Sequence, residues 1–301
     1  MERHFLCPVI HSLTINHMKQ TILIALLVLH FSNPSQAQQQ PNFKQITTTL
    51  EQAYERDQSI RERFAKTPMN TPEYKIVRDS LRYIDSTNQA IVFPILEQYN
   101  WLKSNVTSKN ASAAFYYVIQ HAELPAQIKY ARYMDEAYKA KEISHLDYAR
   151  FVDRLLFRQG KFQRYGLQQA SDPLGNVYCY PMKNIEEVNK QRASLGFGKV
   201  EDDVTAGSIV MAPGVEQLTH PNVFIGHVSN DSNFKEPAEN VEILLNGTVI
   251  GKTNAKGFVY IALERPYNEE VTLTIQRGAK SQNFVLKGEK DFFEYWGVFK
   301  P

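Results

Sequence analysis

The residues of this sequence best suited to chemistry are polar side chains on apolar helix faces. His121 follows Tyr117 by one turn of a predicted helix, and Asp153 and Arg154 are adjacent in a later helix. If these side chains converge, His121 would act as a general base oriented by Asp153, and Arg154 would bind an anionic group. Water would be the nucleophile, because no serine or cysteine lies in a recognisable nucleophile motif. Candidate ligand-binding residues are Asp85, Asn88, Gln120, Gln163, Tyr165 and Gln168.

The same residues have a structural alternative. In that interpretation they form a buried hydrogen-bonded network that fixes the long loop from Gly160 to Pro181 onto the helices. Asp153 and Arg154 would then pair with helix ends or with loop carbonyls. The sequence favours this network, because a single histidine on an apolar helix is more often a core residue than a catalyst. The catalytic alternative stays open.

Metal and cofactor signals are weak. The segments His121-Ala-Glu123 and His145-Leu-Asp147 lack the spacing of helical zinc ligands, and the chain has only 2 cysteines. The sequence shows neither a phosphate-binding loop nor a dinucleotide fingerprint. We therefore predict no metal site and no cofactor.

The charge balance limits the classes of partner. Lysine and arginine total 34, and aspartate and glutamate total 32. A nearly neutral chain gives no electrostatic reason to expect nucleic acid or an anionic membrane as a partner. The expected partner is therefore an unidentified protein, peptide or glycan.

The N-terminal segment has the pattern of a secretory signal. A lysine follows Met18, an apolar run extends over residues 22–31, and Ser35-Gln36-Ala37 is a small-x-small cleavage site. We predict that translation starts at Met18, that residues 1–17 are an over-extension, and that cleavage follows Ala37. The mature protein would then be periplasmic or secreted, with no membrane span. The alternative is an uncleaved anchor, but the apolar run is about half the length that a spanning helix needs.

Residues 41–198 are predicted to form an α-helical domain, because apolar residues recur every three or four positions. Pro94 is expected to end or kink the second helix. Ser144 and Asp147 form an acidic variant of the capping box, and Gly160 lies where a helix C-terminus is expected.

The pattern changes after a predicted linker at 199–218. Residues 219–301 contain short β-branched and aromatic segments separated by turn residues, and Asn246-Gly247 indicates a type I′ hairpin. The aromatic tail at 292–299 is expected to be the last strand. The predicted fold class is a multi-domain α plus β protein, in which an all-α helical domain precedes a small antiparallel β-sandwich.

The helical part resembles a bacterial family known as domain of unknown function 6624, over about residues 57–195. The chain departs from the family pattern at Asn100 and Leu102, which flank Trp101, and at Leu167. The resemblance implies no activity. The motifs that carry it are Asp85-x-x-Asn88, Tyr99-Asn-Trp101, Gln120-His121-Ala122, Asp153-Arg154 and Gly160-Lys-x-Gln163-Arg-Tyr165-Gly166-x-Gln168.

The β part, about 219–290, is similar to the regulatory-type sandwich attached to carboxypeptidases. The similarity rests on Gly226-His-Val228, Val241 to Leu245 and Thr253-Asn-Ala-Lys-Gly-Phe258. It implies an accessory domain without catalytic residues.

Together these features predict an exported bacterial protein that binds or interacts with a partner in the cell envelope. The alternative is an envelope hydrolase that uses His121 and Asp153 as a general base and Arg154 for an anionic substrate group. The sequence does not decide whether the protein is an enzyme.

Overall fold

The computed structural model describes residues 42–68, 71–171, 177–203, 214–232, 234–264, 269–287 and 294–298. The predicted signal segment and its cleavage site lie outside these residues. In the described part the helices are α1 (Phe43–Lys66), α2 (Pro72–Tyr99), α3 (Lys109–Gln120), α4 (Leu124–Lys139), α5 (His145–Arg158) and α6 (Ile185–Ser194). The strands are β1 (Gln169–Ser171), β2 (Val177–Cys179), β3 (Pro221–Ser229), β4 (Glu242–Leu245), β5 (Thr248–Lys252), β6 (Phe258–Glu264), β7 (Glu270–Arg277), β8 (Lys280–Lys287) and β9 (Glu294–Val298).

Local signals set several helix ends as predicted. The Ser144 hydroxyl accepts a hydrogen bond from the Asp147 backbone N–H at 3.0 Å and donates to the Asp147 carboxylate at 2.7 Å. After α5, Gly160 has a φ of 68°, a conformation that a residue without Cβ adopts at little cost. These caps define both ends of the helix that carries Asp153 and Arg154.

Helix α2 differs from the expectation at Pro94. The helix continues through this proline to Tyr99, so of the two expected outcomes, an end or a kink, the helix does not end there. Val92 and Leu96, on either side of Pro94, are fully buried in the helical core. Their burial stabilises the helix across the position where proline removes a hydrogen-bond donor.

The helical core is built from α1 to α5. Its largest fully buried side chains include Leu50, Leu96, Phe115, Ile119 and Phe151. At its edge, the Trp101 indole N–H donates to the Ser112 hydroxyl at 2.9 Å, which satisfies both polar groups beside the apolar interior.

Two sheets form the β-sandwich, with strand orders β6-β3-β9 and β5-β4-β7-β8. They pack through a second core in which Phe224 and Val228 of β3 accompany Ile243, Leu273 and Ile275 of the other sheet. All strand pairs in both sheets are antiparallel except β3 with β9, which is parallel. The β4–β5 hairpin has the predicted turn, with φ of 51° at Asn246 and 79° at Gly247.

A third core cluster contains residues from both halves of the chain. Phe157 and Tyr180 stack with ring centroids 3.9 Å apart, and Tyr178 lies 5.6 Å from Phe258 of β6. Val215, from the segment predicted as a linker, is fully buried in the same cluster. The segment predicted as a long loop after Gly160 contains the antiparallel pair β1 and β2, which helps to build this interface.

Candidate functional site

Three helices bring Asp57, Asp85 and His121 together. Asp57 lies on the buried face of α1, between Ala53 and Ile60, and its carboxylate is almost completely covered. Asp85 is in the middle of α2, and His121 is the C-terminal cap of α3. Because packing of α1 against α2 and α3 fixes all three positions, the site is built on rigid elements rather than on loops.

Arg61 connects the two carboxylates. Its Nε lies 3.0 Å from Asp57 Oδ1, and its Nη2 donates to Asp85 Oδ1. His121 Nδ1 lies 3.2 Å from the same Asp57 oxygen, while Gln58 donates to the other oxygen at 2.8 Å. We call Asp57, Arg61, Asp85 and His121 the three-helix cluster.

The titratable groups of the cluster have pKa values that differ from their usual values, because each group has a different environment. Burial raises the pKa of Asp85 to about 6, despite the opposing charge of Arg61. Burial alone would also raise the pKa of Asp57, but its hydrogen bond with His121 and the charge of Arg61 lower it below the usual value. Burial lowers the pKa of His121 to about 4, against the effect of Asp57. At neutral pH the imidazole is therefore uncharged.

Solvent reaches part of this cluster. The side chains of His121, Asp85 and Arg61 are 17%, 19% and 24% exposed. If His121 donates its Nδ1 proton to Asp57, Nε2 carries a lone pair that can accept a proton. A neutral imidazole oriented by a buried carboxylate has the arrangement of a general base.

Arg154, on α5, lies close enough to change the pKa values of Asp85 and His121 through its charge. Its Nε is buried without a hydrogen-bond partner among the described residues. Burial lowers the pKa of Arg154 to about 10, and the positive charges of Arg158 and Arg61 contribute. The guanidinium remains charged at neutral pH, so a bound anion would have a cation available to it.

Asp153 has a different role from the one predicted for a catalytic site. Its carboxylate accepts hydrogen bonds from the backbone N–H groups of Arg164 at 2.7 Å, Tyr165 at 2.9 Å and Leu167 at 2.9 Å. In place of Asp153, the predicted partner, His121 is paired with Asp57. Asp153 thus holds the segment after α5 in position by accepting hydrogen bonds from backbone N–H groups of that segment.

The other predicted ligand-binding residues mostly make structural contacts. Asn88 is buried, donates to the Ala53 carbonyl at 2.9 Å and accepts from Arg56 Nε at 3.1 Å. Gln163 is also buried, donates to the Tyr180 carbonyl at 2.7 Å and accepts from the Gln168 N–H at 2.6 Å.

Three further candidates have weaker or indirect contacts. The Gln168 side chain donates to the Arg150 carbonyl at 3.2 Å, and the backbone carbonyl of Tyr165 accepts from Arg192 at 2.9 Å. The Gln120 side-chain oxygen is buried without a hydrogen-bond partner in the described part of the chain. Of the nine candidates, the structure therefore groups only Asp85, His121 and Arg154 around one partly exposed position.

Asp57 and Arg61 are the residues that sequence reasoning missed. A usable signal was present, because Asp57 follows Leu50 and Ala53 at helical spacing and precedes Ile60 on the same apolar stripe. A charged residue on such a stripe requires a partner inside the fold. The partner itself is 64 positions away in His121, which local pattern cannot identify.

The part of the chain that contains this site matches a known protein family. A model described as a family of unknown function (DUF6624) matches residues 41–207, which is more than half of the 301 residues. The chain belongs to the DUF6624 family. The DUF6624 match extends beyond the predicted 57–195 at both ends and includes the three-helix cluster, Asp153 and Arg154. No curated protein and no solved structure matches the chain.

The DUF6624 region ends before the β-sandwich begins at Pro221. None of the helices in the described ranges combines the length and apolar composition that crossing a membrane requires.

Proposed function

We propose that the protein is an exported binding protein of the bacterial cell envelope, and that Arg154 holds an anionic group of its ligand. The observation that carries this proposal is the buried Nε of Arg154, which lacks a partner in the described residues. An N–H group of a cation that is buried without a partner costs free energy, and a bound anion that accepts its hydrogen bond would offset this cost. Carboxylate and phosphate groups match the planar guanidinium well.

Neighbouring groups provide further contacts for such a ligand. The neutral imidazole of His121 and the carboxyl of Asp85 are partly exposed, and both lie close enough to Arg154 for its charge to lower their pKa values. A peptide or glycan that carries a carboxylate or phosphate suits this site. Its anionic group would bind the cation, and its polar groups would form hydrogen bonds with the neighbouring acceptors and donors.

The proposed protein is exported, and its sandwich has an accessory role. The signal pattern before Gln38 supports a periplasmic or secreted location. The sandwich would be an accessory domain of the regulatory type attached to carboxypeptidases, and it would stabilise the helical part and assist its presentation to the partner. Its contacts with Phe157 and Tyr178 support a stabilising role.

A hydrolase is the second candidate, and the pairing of His121 with Asp57 favours it. In this function His121 Nε2 would take a proton from water while Asp57 holds the imidazole through Nδ1. Asp85, whose pKa is raised to about 6, would return a proton to the leaving group. Arg154 would bind an anionic part of the substrate, as in the binding proposal.

Inorganic phosphate and acetate are suitable first probes of the anion site. We expect phosphate to raise the melting temperature of the wild-type protein and of Arg150→Met, and to have no effect on Arg154→Met. Arg150 is the matched control, because it lies on the same helix with its side chain 50% exposed. Equal phosphate stabilisation of all three proteins would refute the assignment of the anion site to Arg154.

The hydrolase is tested separately with p-nitrophenyl phosphate and p-nitrophenyl acetate. Turnover that is lost in both His121→Gln and Asp57→Asn, with phosphate stabilisation retained, would establish catalysis at the three-helix cluster. Phosphate stabilisation without turnover of either ester would favour the binding protein.

A further inference from the structure

We propose that Asp57, Asp85 and His121 form a site for a divalent transition-metal cation, such as Zn²⁺ or Mn²⁺, for which Arg61 competes. One carboxylate oxygen from each aspartate and one ring nitrogen of His121 lie within 4.8 Å of one another. One imidazole and two carboxylates are a donor set that suits these cations. This inference goes beyond the anion site proposed for Arg154.

The arrangement leaves room for a ligand beyond the protein. Three side chains fill only part of the coordination sphere of Zn²⁺ or Mn²⁺, so water or an anion would occupy the rest. The partial exposure of His121 and Asp85 gives a cation a route from solvent. Arg154, with its unpartnered buried nitrogen, lies beside the cluster and would meet an anion that the cation brings with it.

Arg61 would set the affinity of this site for a cation. It donates to Asp57 Oδ1 and to Asp85 Oδ1, the same carboxylates that a cation would use. A cation must therefore displace at least one of these hydrogen bonds. With 24% of its side chain exposed, Arg61 can turn towards solvent when it is displaced. The guanidinium thus neutralises the carboxylates when no cation is bound.

His121 must also change the position of its proton. When Nδ1 donates to Asp57, that nitrogen has no lone pair for a metal. The neutral imidazole can ligate through Nδ1 if its proton moves to Nε2, or through Nε2 if the ring turns. Both arrangements keep the imidazole uncharged.

Isothermal titration calorimetry of the full chain, after treatment with EDTA and in buffer without phosphate, tests the proposal. We expect one equivalent of Zn²⁺ or Mn²⁺ to bind, and Asp85→Asn and His121→Gln each to weaken binding by at least about tenfold. Arg61→Gln should tighten binding, because it removes the competing charge. Arg154→Met should retain cation binding, which separates this proposal from the anion site.

Two variants are matched controls. Asp153→Asn changes a buried carboxylate whose partners are backbone N–H groups, and His145→Gln changes an exposed histidine. Both should bind the cation as the wild type does.

The proposal is overturned if the wild type shows no saturable binding, or if Asp85→Asn and His121→Gln bind as tightly as the controls. Weaker binding in Arg61→Gln, with an unchanged circular dichroism spectrum, would also contradict the competing role of Arg61. Absorption of the Co²⁺-loaded wild type gives a second measurement that needs no variant: bands of nitrogen and oxygen coordination support the site, and a spectrum identical to that of aqueous Co²⁺ opposes it.

Discussion

His121 Nδ1 lies 3.2 Å from Asp57 Oδ1, which joins the C-terminal end of α3 to the buried face of α1. This contact orients the imidazole and places its second nitrogen where a ligand or water could approach. The helical part contains two groups of polar residues that differ in their exposure to solvent. The three-helix cluster is partly exposed, whereas the Asp153 network is enclosed and serves the backbone.

Replacing Arg154 should increase the stability of the protein while removing its anion site. We expect Arg154→Met to raise the free energy of unfolding by about 1 kcal/mol without ligand, because it removes a half-buried cation whose buried Nε has no hydrogen-bond partner among the described residues. Urea denaturation in buffer without phosphate measures this change. The exposed-site variant Arg150→Met should differ from wild type by less than about 0.5 kcal/mol. A loss of stability specific to Arg154→Met would show that the guanidinium has a structural role.

Asp153 should be important for stability and not for a proton-transfer step. Asp153→Ala leaves the N–H groups of Arg164, Tyr165 and Leu167 without their acceptor, and we expect a loss of about 2–4 kcal/mol. Asp153→Asn keeps one acceptor oxygen and should lose less. Urea denaturation gives the free energies, and limited proteolysis reports opening of the segment after α5. Equal stability of Asp153→Ala and the exposed control Asp79→Asn would contradict this role.

The same carboxyl predicts a pH dependence. Burial raises the pKa of Asp153 to about 6, above the value of 3.8 for an unperturbed aspartate. Between these values the folded protein binds more protons than the unfolded chain, so the stabilisation linked to this bound proton decreases as pH rises from about 4 to about 6. This proton-linked part is greatest below about pH 4 and lost above about pH 6, while the hydrogen bonds from the backbone N–H groups remain.

The pH effect is isolated by comparison with Asp153→Asn, which does not titrate at this position. Unfolding by urea at several pH values should show wild type losing about 2–3 kcal/mol relative to the variant across this window. Parallel stability curves for the two proteins would refute the assignment.

The third core cluster predicts that the helical part and the sandwich unfold together. In a Trp296→Phe background, which leaves Trp101 as the single tryptophan, Phe258→Ala in β6 should lower the free energy of unfolding by about 3–5 kcal/mol and shift the fluorescence transition by the same amount as the far-UV circular dichroism transition. Val249→Ala is the control, because Val249 in β5 is 43% exposed. A fluorescence transition that does not move would mean that the helical part unfolds independently.

The predicted signal cleavage has a direct test. When the chain is expressed in a bacterium from Met18, the exported protein should begin at Gln38, as measured by mass spectrometry of the periplasmic and secreted fractions. Replacing Ala37 with leucine should block processing, because the cleavage site requires a small residue. Export of a chain with its N-terminal segment intact would contradict the prediction.

Local patterns explain why much of the fold was predictable. The capping residues Ser144 and Asp147 and the turn at Asn246-Gly247 act through neighbouring backbone groups, so their structures follow from a few consecutive residues. Helical and strand periodicity likewise report which face is buried, whatever the partner is.

The features that were not predicted depend on distant contacts. Pro94 stays within α2 because Val92 and Leu96 are buried against other helices. The partner of His121 is Asp57 because α1 and α3 pack together, and no sequence spacing encodes that distance. For the same reason the sequence lacks a closely spaced metal-ligand motif, although Asp57, Asp85 and His121 converge in the structure.

The third core cluster also restricts domain recombination between this chain and other proteins. The DUF6624 match ends at residue 207, yet Phe157 and Tyr178 share their apolar environment with Val223 and Phe258. A gene fragment cut at the family boundary would expose these aromatic side chains, and its product would tend to self-associate. Recombination that replaces the sandwich therefore requires matching changes on the helical side, so the two parts are expected to evolve as a unit.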